Sequence, residues 1–159
     1  NGKIEVLNAS VSEMIRDFGE EDSARAEIHT CVITFGGEVK IHQPMAPAED
    51  MTWTTMSAKG GTPMGAAFSM ARELIENKET ISGRAYRPTI ILVSDGKPTD
   101  DWEVPLAELI GSERASKAFR FAMGIGDDAE VDTRQKFADQ TAHIFTAGEA
   151  GGDIRKFFK

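Results

Sequence analysis

The sequence predicts an α/β domain of the doubly wound kind, with a mostly parallel central sheet, one antiparallel edge hairpin and helices on both faces. Three observations carry this prediction. Residues 89–93 form an unbroken aliphatic and β-branched run, and residues 118–125 are interrupted only by Arg120. Such runs suit strands covered on both faces, as in a parallel sheet. Segments of helical periodicity alternate with them, which implies crossover connections between parallel strands. Finally, Gly36-Gly37 separates two strand-like segments, as a hairpin turn does.

Each element follows in order. Apolar residues at 4, 7, 11, 14, 15 and 18 keep helical spacing, so residues 3–18 read as an amphipathic helix that Gly19 ends. Residues 27–35 read as a strand, and residues 39–41 as its short hairpin partner. Residues 43–62 hold two prolines and Gly60-Gly61, and read mostly as loop. Pro63 suits the first turn of a second helix whose apolar face is Met64, Ala67, Phe68, Ala71, Leu74 and Ile75. Then come the strand at 89–93, a helix at 103–111, the strand at 118–125, a helix near 130–139 and a short strand at 143–146. Ile154, Phe157 and Phe158 begin a last helix.

Composition narrows the function. A chain of 159 residues with 40% hydrophobic residues fits one domain with a real core. The net charge of -8 argues against nucleic-acid binding, which needs clustered Lys and Arg. It is compatible with a site that attracts cations, but an ordinary acidic surface accounts for it more simply. The single cysteine, Cys31, allows no internal disulfide and reads as a small buried hydrophobe. No apolar run approaches the roughly 20 residues of a membrane span. The opening Asn1-Gly2-Lys3 has no secretory pattern, so the expected location is cytoplasmic.

In doubly wound sheets, ligands bind outside the carboxyl ends of the strands. That rule selects the loops after Val93, after Ile125 and before Pro63. The first is Ser94-Asp95-Gly96-Lys97-Pro98-Thr99-Asp100. The Asp95 carboxylate at a strand tip suits Mg²⁺, Mn²⁺ or Ca²⁺. Asp95-Gly96 also suits a plain turn, and Asp100 or Asp101 is expected to cap the helix at 103. Before Pro63 lies Lys59-Gly60-Gly61-Thr62, where the Thr62 hydroxyl can cap the second helix or touch a metal. Neither a phosphate loop nor a dinucleotide fingerprint is present. Asp127 and Asp128 follow the strand end at Gly124-Ile125-Gly126 and can face the same side. Trp53 and Trp102 flank the two loops, as rim or as packing. His29 and His143 read as packed or edge residues and His42 as an exposed strand end, and no Ser-His-Asp set has supporting spacing.

The strand 90–94 running into Asp95-Gly96-Lys97-Pro98-Thr99-Asp100, preceded by Gly60-Gly61-Thr62-Pro63, resembles the von Willebrand factor type A (vWA) domain. Ile33-Thr34-Phe35 and Met123-Gly124-Ile125-Gly126 are similar to that family's other strand ends, and the likeness covers nearly the whole chain. Among bacterial branches it looks most like tellurite-resistance-associated vWA proteins, through the same motifs and Ile154-Arg155-Lys156-Phe157-Phe158-Lys159. The resemblance implies a non-enzymatic binding module in which a divalent cation, Mg²⁺ above all, bridges the domain to a carboxylate on a protein partner. It implies Thr62 and Asp95 as metal residues, with Gly61, Lys97, Thr99, Trp102 and Trp53 around them. The family's Asp-x-Ser-x-Ser loop occurs nowhere in the sequence, and residues 3–18 match the helix that follows it. Residues 1–159 are therefore expected to be one vWA-like domain that lacks its first central strand, is truncated at both ends and holds an incomplete metal site. The competing readings are a scaffold with a degenerate site and a Mg²⁺-dependent phosphohydrolase.

Overall fold

The computed structural model describes residues 2–20, 27–57, 59–126 and 130–147. Helix α1 (Lys3–Glu20) leads into the hairpin β1 (His29–Gly36) and β2 (Glu38–Pro47). There follow α2 (Met64–Glu76), β3 (Thr89–Ser94), α3 (Glu103–Gly111), β4 (Phe119–Ile125), α4 (Val131–Phe137) and β5 (Ile144–Ala147). Strands β3, β4 and β5 form a parallel sheet in that order, with Leu92 opposite Ala122 and Met123 opposite Phe145. The α/β fold of alternating strands and helices is as expected.

The hairpin strands β1 and β2 form their own two-stranded sheet, and among the described residues no ladder joins β1 to β3. The two sheets are held by helices instead. On one face, Val6 and Leu7 of α1 pack with Val93, Met123 and Ile125. Farther along α1, Val11, Ile15 and Phe18 pack with Val32 and Ala48 of the hairpin side. On the other face, Met64 and Phe68 of α2 join Leu92 and Ala122, and Phe35 of β1 packs against the same cluster. Adjacent residues Leu92 and Val93 thus point to opposite helices, as the period of two requires. The seam between β1 and β3 is bridged above and below and has no backbone bonds across it among the described residues. Ile91, beside that seam, is 39% exposed, so β3 is less completely covered than its apolar run predicts.

Three local expectations are corrected. Gly19 does not end α1. It lies inside the helix, and a Cβ there would stand 2.9 Å from the Glu49 Cα, so glycine permits the close approach of another backbone. Strand β2 is much longer than residues 39–41 and runs through Pro44 to Pro47. The prolines are tolerated because β2 is an edge strand whose register with β1 shifts between Thr30 and Val32. His143 belongs to a 3₁₀ turn, not a strand. Its Nδ1 pairs with Asp139 and its ring stacks on Phe121, with centroids 3.8 Å apart. The expected helix at Ile154, Phe157 and Phe158 lies outside the described residues.

Met64 and Met56 are buried in the core. Cys31 is half-buried on β1, and burial pushes its thiol pKa up.

Candidate functional site

Three loops meet at the carboxyl ends of β1 and β3. Gly37 has φ 75° and Gly60 has φ 65°, conformations that favour glycine. The two residues face each other so closely that a Cβ on Gly60 would lie 2.9 Å from the Gly37 Cα. The Gly37 N–H donates to the Gly61 carbonyl at 2.8 Å, which ties the hairpin turn to the Gly-Gly-Thr-Pro segment. β1 and β3 thus both bring their carboxyl ends to this segment.

The segment is tied as firmly to the loop after β3. The Thr62 N–H donates to the Thr99 hydroxyl at 3.0 Å, and the Thr99 N–H donates to the Thr62 carbonyl at 2.9 Å. Asp100 receives the Gly65 N–H on Oδ1 and the Ala66 N–H on Oδ2, each at 2.9 Å. Asp100 therefore caps α2, not α3 as expected. The residue that opens α3 is Trp102, which makes no side-chain cap bond. The first N–H groups of a helix lack intrahelical acceptors and carry its positive dipole end, so a bidentate carboxylate satisfies both needs. The fit is tight: a Cβ on Gly65 would stand 2.0 Å from the Asp101 carbonyl oxygen.

With Asp100 in that role, the Thr62 hydroxyl is not used as a cap. Pro63 occupies the cap position, and α2 has no side-chain cap bond from it. The Thr62 Oγ1 instead abuts the Asp95-Gly96 turn, 3.3 Å from where a Gly96 Cβ would be. The turn is shaped by Ser94, whose hydroxyl accepts the Gly96 N–H at 3.3 Å. Asp95 itself is exposed. Its Oδ2 lies 3.7 Å from the Lys3 ammonium, on the first turn of α1. Asn8 anchors α1 beside this region: its Oδ1 accepts the Met56 N–H at 2.7 Å, and its Nδ2 donates to the Met56 carbonyl.

The structure thus brings Thr62, Gly61, Thr99, Asp95 and Gly96 together. Gly61, Lys97 and Thr99 are exposed at the surface. Trp102 packs against the α2 core, with the Lys136 ammonium 5.3 Å from its ring centre. Trp53 packs beside the α1–hairpin cluster, edge-on to His42 at 5.4 Å. The contacts described for Trp53 include neither Thr62 nor Asp95. Asp127 and Asp128 lie outside the described residues. Sequence reasoning missed Lys3, the Thr62–Thr99 pair and the role of Asp100. No local pattern announces contacts between residues 34 or more positions apart.

As cation chemistry, the donors are a hydroxyl and a carboxylate, both hard oxygens of the kind Mg²⁺, Mn²⁺ and Ca²⁺ prefer. They fit such an ion as two members of a larger set, for the described residues contain no cluster of three or more His, Cys, Asp or Glu able to hold a metal. The adjoining cavity, bordered by Ser94, Gly96 and Thr133, encloses about 10 Å³, on the scale of a single water.

A family model, the von Willebrand factor type A domain, matches residues 2–159. Proximal thread matrix protein 1 from the mussel byssus superposes with a TM-score of 0.73 at 17% identity, covering 99% of this chain and 41% of that one. A second structure of the mussel protein has a zinc-occupied MIDAS motif. The ArnB paralog VWA2 from Sulfolobus acidocaldarius gives 0.66 at 16% identity, over 98% of this chain and 39% of that one. A von Willebrand factor type A protein from Catenulispora acidiphila gives 0.61 at 17%, over 95% and 37%. The chain therefore spans about two-fifths of the length of these structures. No curated protein sequence matches it. The chain belongs to the von Willebrand factor type A family, whose members often carry a metal-dependent MIDAS site and mediate protein interactions. Among the described residues no helix is long and apolar enough to cross a membrane.

Proposed function

We propose that this domain is a non-enzymatic binding module that holds a divalent cation at Thr62 and Asp95 and presents it to a carboxylate on a protein partner. One observation carries the reading: the Thr62 segment is bonded to residues 99–100, just after the Asp95-Gly96 turn, and the Thr62 hydroxyl, not used as a helix cap, lies against that turn. Asp95 would hold the ion directly or through water, and Thr62 through its hydroxyl. The ion would supply a positive centre with an open position for the partner's oxygen. Gly61, Lys97, Thr99, Trp102 and Trp53 would frame specificity. Oxygen donors favour Mg²⁺, with Mn²⁺ or Ca²⁺ as substitutes. The zinc-occupied MIDAS motif of the mussel relative supports a metal role for the matching loops.

Two donors do not complete a site. The seam supports a third loop. An additional strand between β1 and β3, parallel to both, would end beside Thr62 and Asp95, where the family's Asp-x-Ser-x-Ser residues would stand. The chain is then one vWA domain whose sheet and metal site lack that strand. A cytoplasmic location and a role among tellurite-resistance-associated relatives belong to the same proposal, the latter resting on the paired loop motifs.

Calorimetry with Mg²⁺ tests the reading. Asp95→Ala is expected to abolish cation binding and cation-dependent partner binding, with the melting temperature preserved. Unchanged metal affinity in that variant would sink the assignment. A Mg²⁺-dependent phosphatase assay addresses the enzyme alternative, for which no nucleophile or general base faces Asp95 among the described contacts. Absence of metal binding, in a protein that carries the missing loop, would favour a degenerate scaffold.

A further inference from the structure

Asp95 already has a cation beside it. The Lys3 Nζ stands 3.7 Å from Asp95 Oδ2, and the two side chains are 29% and 59% exposed. The lysine is the more enclosed partner. Its backbone is fixed. Lys3 lies on the first turn of α1, one helical turn ahead of Leu7, which packs into both clusters under the two sheets. The Asn8–Met56 bonds hold the same turn against the loop that leads to Thr62.

A divalent ion coordinated by Asp95 sits about 2.0–2.6 Å from its oxygen. An ammonium 3.7 Å from the same carboxylate would then face a doubly charged ion at close range, and like charges at that separation repel. The two cations cannot share the carboxylate without cost.

We propose that Lys3 is a built-in competitor for the cation at Asp95: metal entry requires the ammonium to move out, and this exchange sets the metal affinity and its salt dependence. The inference rests on the metal reading above and adds a regulating residue to it. Any partner that offers Lys3 an alternative carboxylate would strengthen metal binding by the same exchange.

The test is titration of Mn²⁺ followed by amide line broadening at Thr62 and Gly96, in the wild type, Lys3→Met, Lys3→Arg and Asp95→Asn. Lys3→Met keeps the apolar stem and removes the charge. It is expected to tighten Mn²⁺ binding about three- to fivefold, the ratio that matches the stronger exposed ion pairs. It should also change the salt dependence of that affinity. Lys3→Arg should stay within about twofold of wild type, since the charge remains. Equal or weaker binding in Lys3→Met, with Asp95→Asn abolishing it, overturns the role of Lys3 and leaves the metal site standing. No site-specific broadening in either the wild type or Lys3→Met overturns the metal reading and this inference with it. Matching melting temperatures for wild type and Lys3→Met exclude unfolding of α1 as the cause of any difference.

Discussion

The loops at the carboxyl ends of β1 and β3 are fastened to one another by backbone and carboxylate bonds, while the strands that carry them share no ladder. Gly37–Gly61, Thr62–Thr99 and Asp100 with Gly65 and Ala66 form a continuous set of ties. A few residues below, β1 and β3 share no ladder among the described residues and are bridged by α1 and α2. The contrast teaches that the positions of Thr62 and Asp95 do not depend on a continuous sheet. Directional bonds set the site, and undirected apolar packing sets the seam. The first should be intolerant of small changes, and the second tolerant.

The largest effect is expected at Gly65. A Cβ there meets backbone at 2.0 Å, so Gly65→Ala forces α2 away from residues 100–101. Overpacking of this kind costs about 3 kcal/mol or more, read as a fall in the denaturant midpoint. A variant as stable as wild type would show that the helix start is not held as described. Next comes Asp100→Ala, which strips two N–H groups of a charged acceptor. The loss is expected at about 2 kcal/mol, with Asp100→Asn recovering part of it. Thr99→Val removes one acceptor and should cost about 1 kcal/mol, leaving the overall fold intact.

The seam gives the smaller, complementary effects. Ile91→Thr, at a half-open position beside it, should stay within roughly 1 kcal/mol of wild type. Hydrogen exchange sharpens the same point. Strand β4 is bonded on both sides, by β3 and β5, and its amides should be the slowest of the sheet. Amides of β1 and β3 that point into the seam should exchange faster. Equal protection on both would mean that the seam is closed by bonds.

A pH effect of similar size lies away from both regions. Burial of Asp139 works to raise its carboxyl pKa, but hydrogen bonds from His143 and the Arg120 backbone, with the nearby charges of both residues, hold it below its ordinary value of 3.8. A lowered folded-state pKa stabilises the fold above the unfolded value, and the contribution is lost as pH falls through the lower folded value. Stability should therefore drop in acid below about pH 4, and Asp139→Asn should flatten that part of the profile.

The sequence made the regular parts legible where periodicity was strong. The apolar face of α2, the runs of β3 and β4, and α3 at its observed bounds follow from spacing alone. It misled where a residue answers to a distant partner. Gly19 reads as a helix stop, yet it is small because Glu49 lies against it. Asp100 sits three residues before α3 and reads as its cap, yet the amides it serves are 34 and 35 residues earlier in the chain. Pro44 reads as a loop signal because sequence does not reveal that its strand lies at an edge. In the site, Thr62 and Asp95 stood out through their glycine neighbours. Lys3 did not, because a lysine on a first helical turn carries no signal until the fold brings it to Asp95, and Thr99, which the family resemblance puts at the rim, gave no sign of its bonds to Thr62.

The central claim is that Thr62 and Asp95 act on one cation, and Mn²⁺ titration with residue-resolved amide spectra tests it most directly. The account predicts that broadening centres on Thr62, Asp95 and Gly96 in the wild type. It predicts that Asp95→Asn removes this broadening while the remaining spectrum is preserved. Broadening that persists in Asp95→Asn, or that centres on another acidic surface such as Asp132 and Glu103, would contradict it.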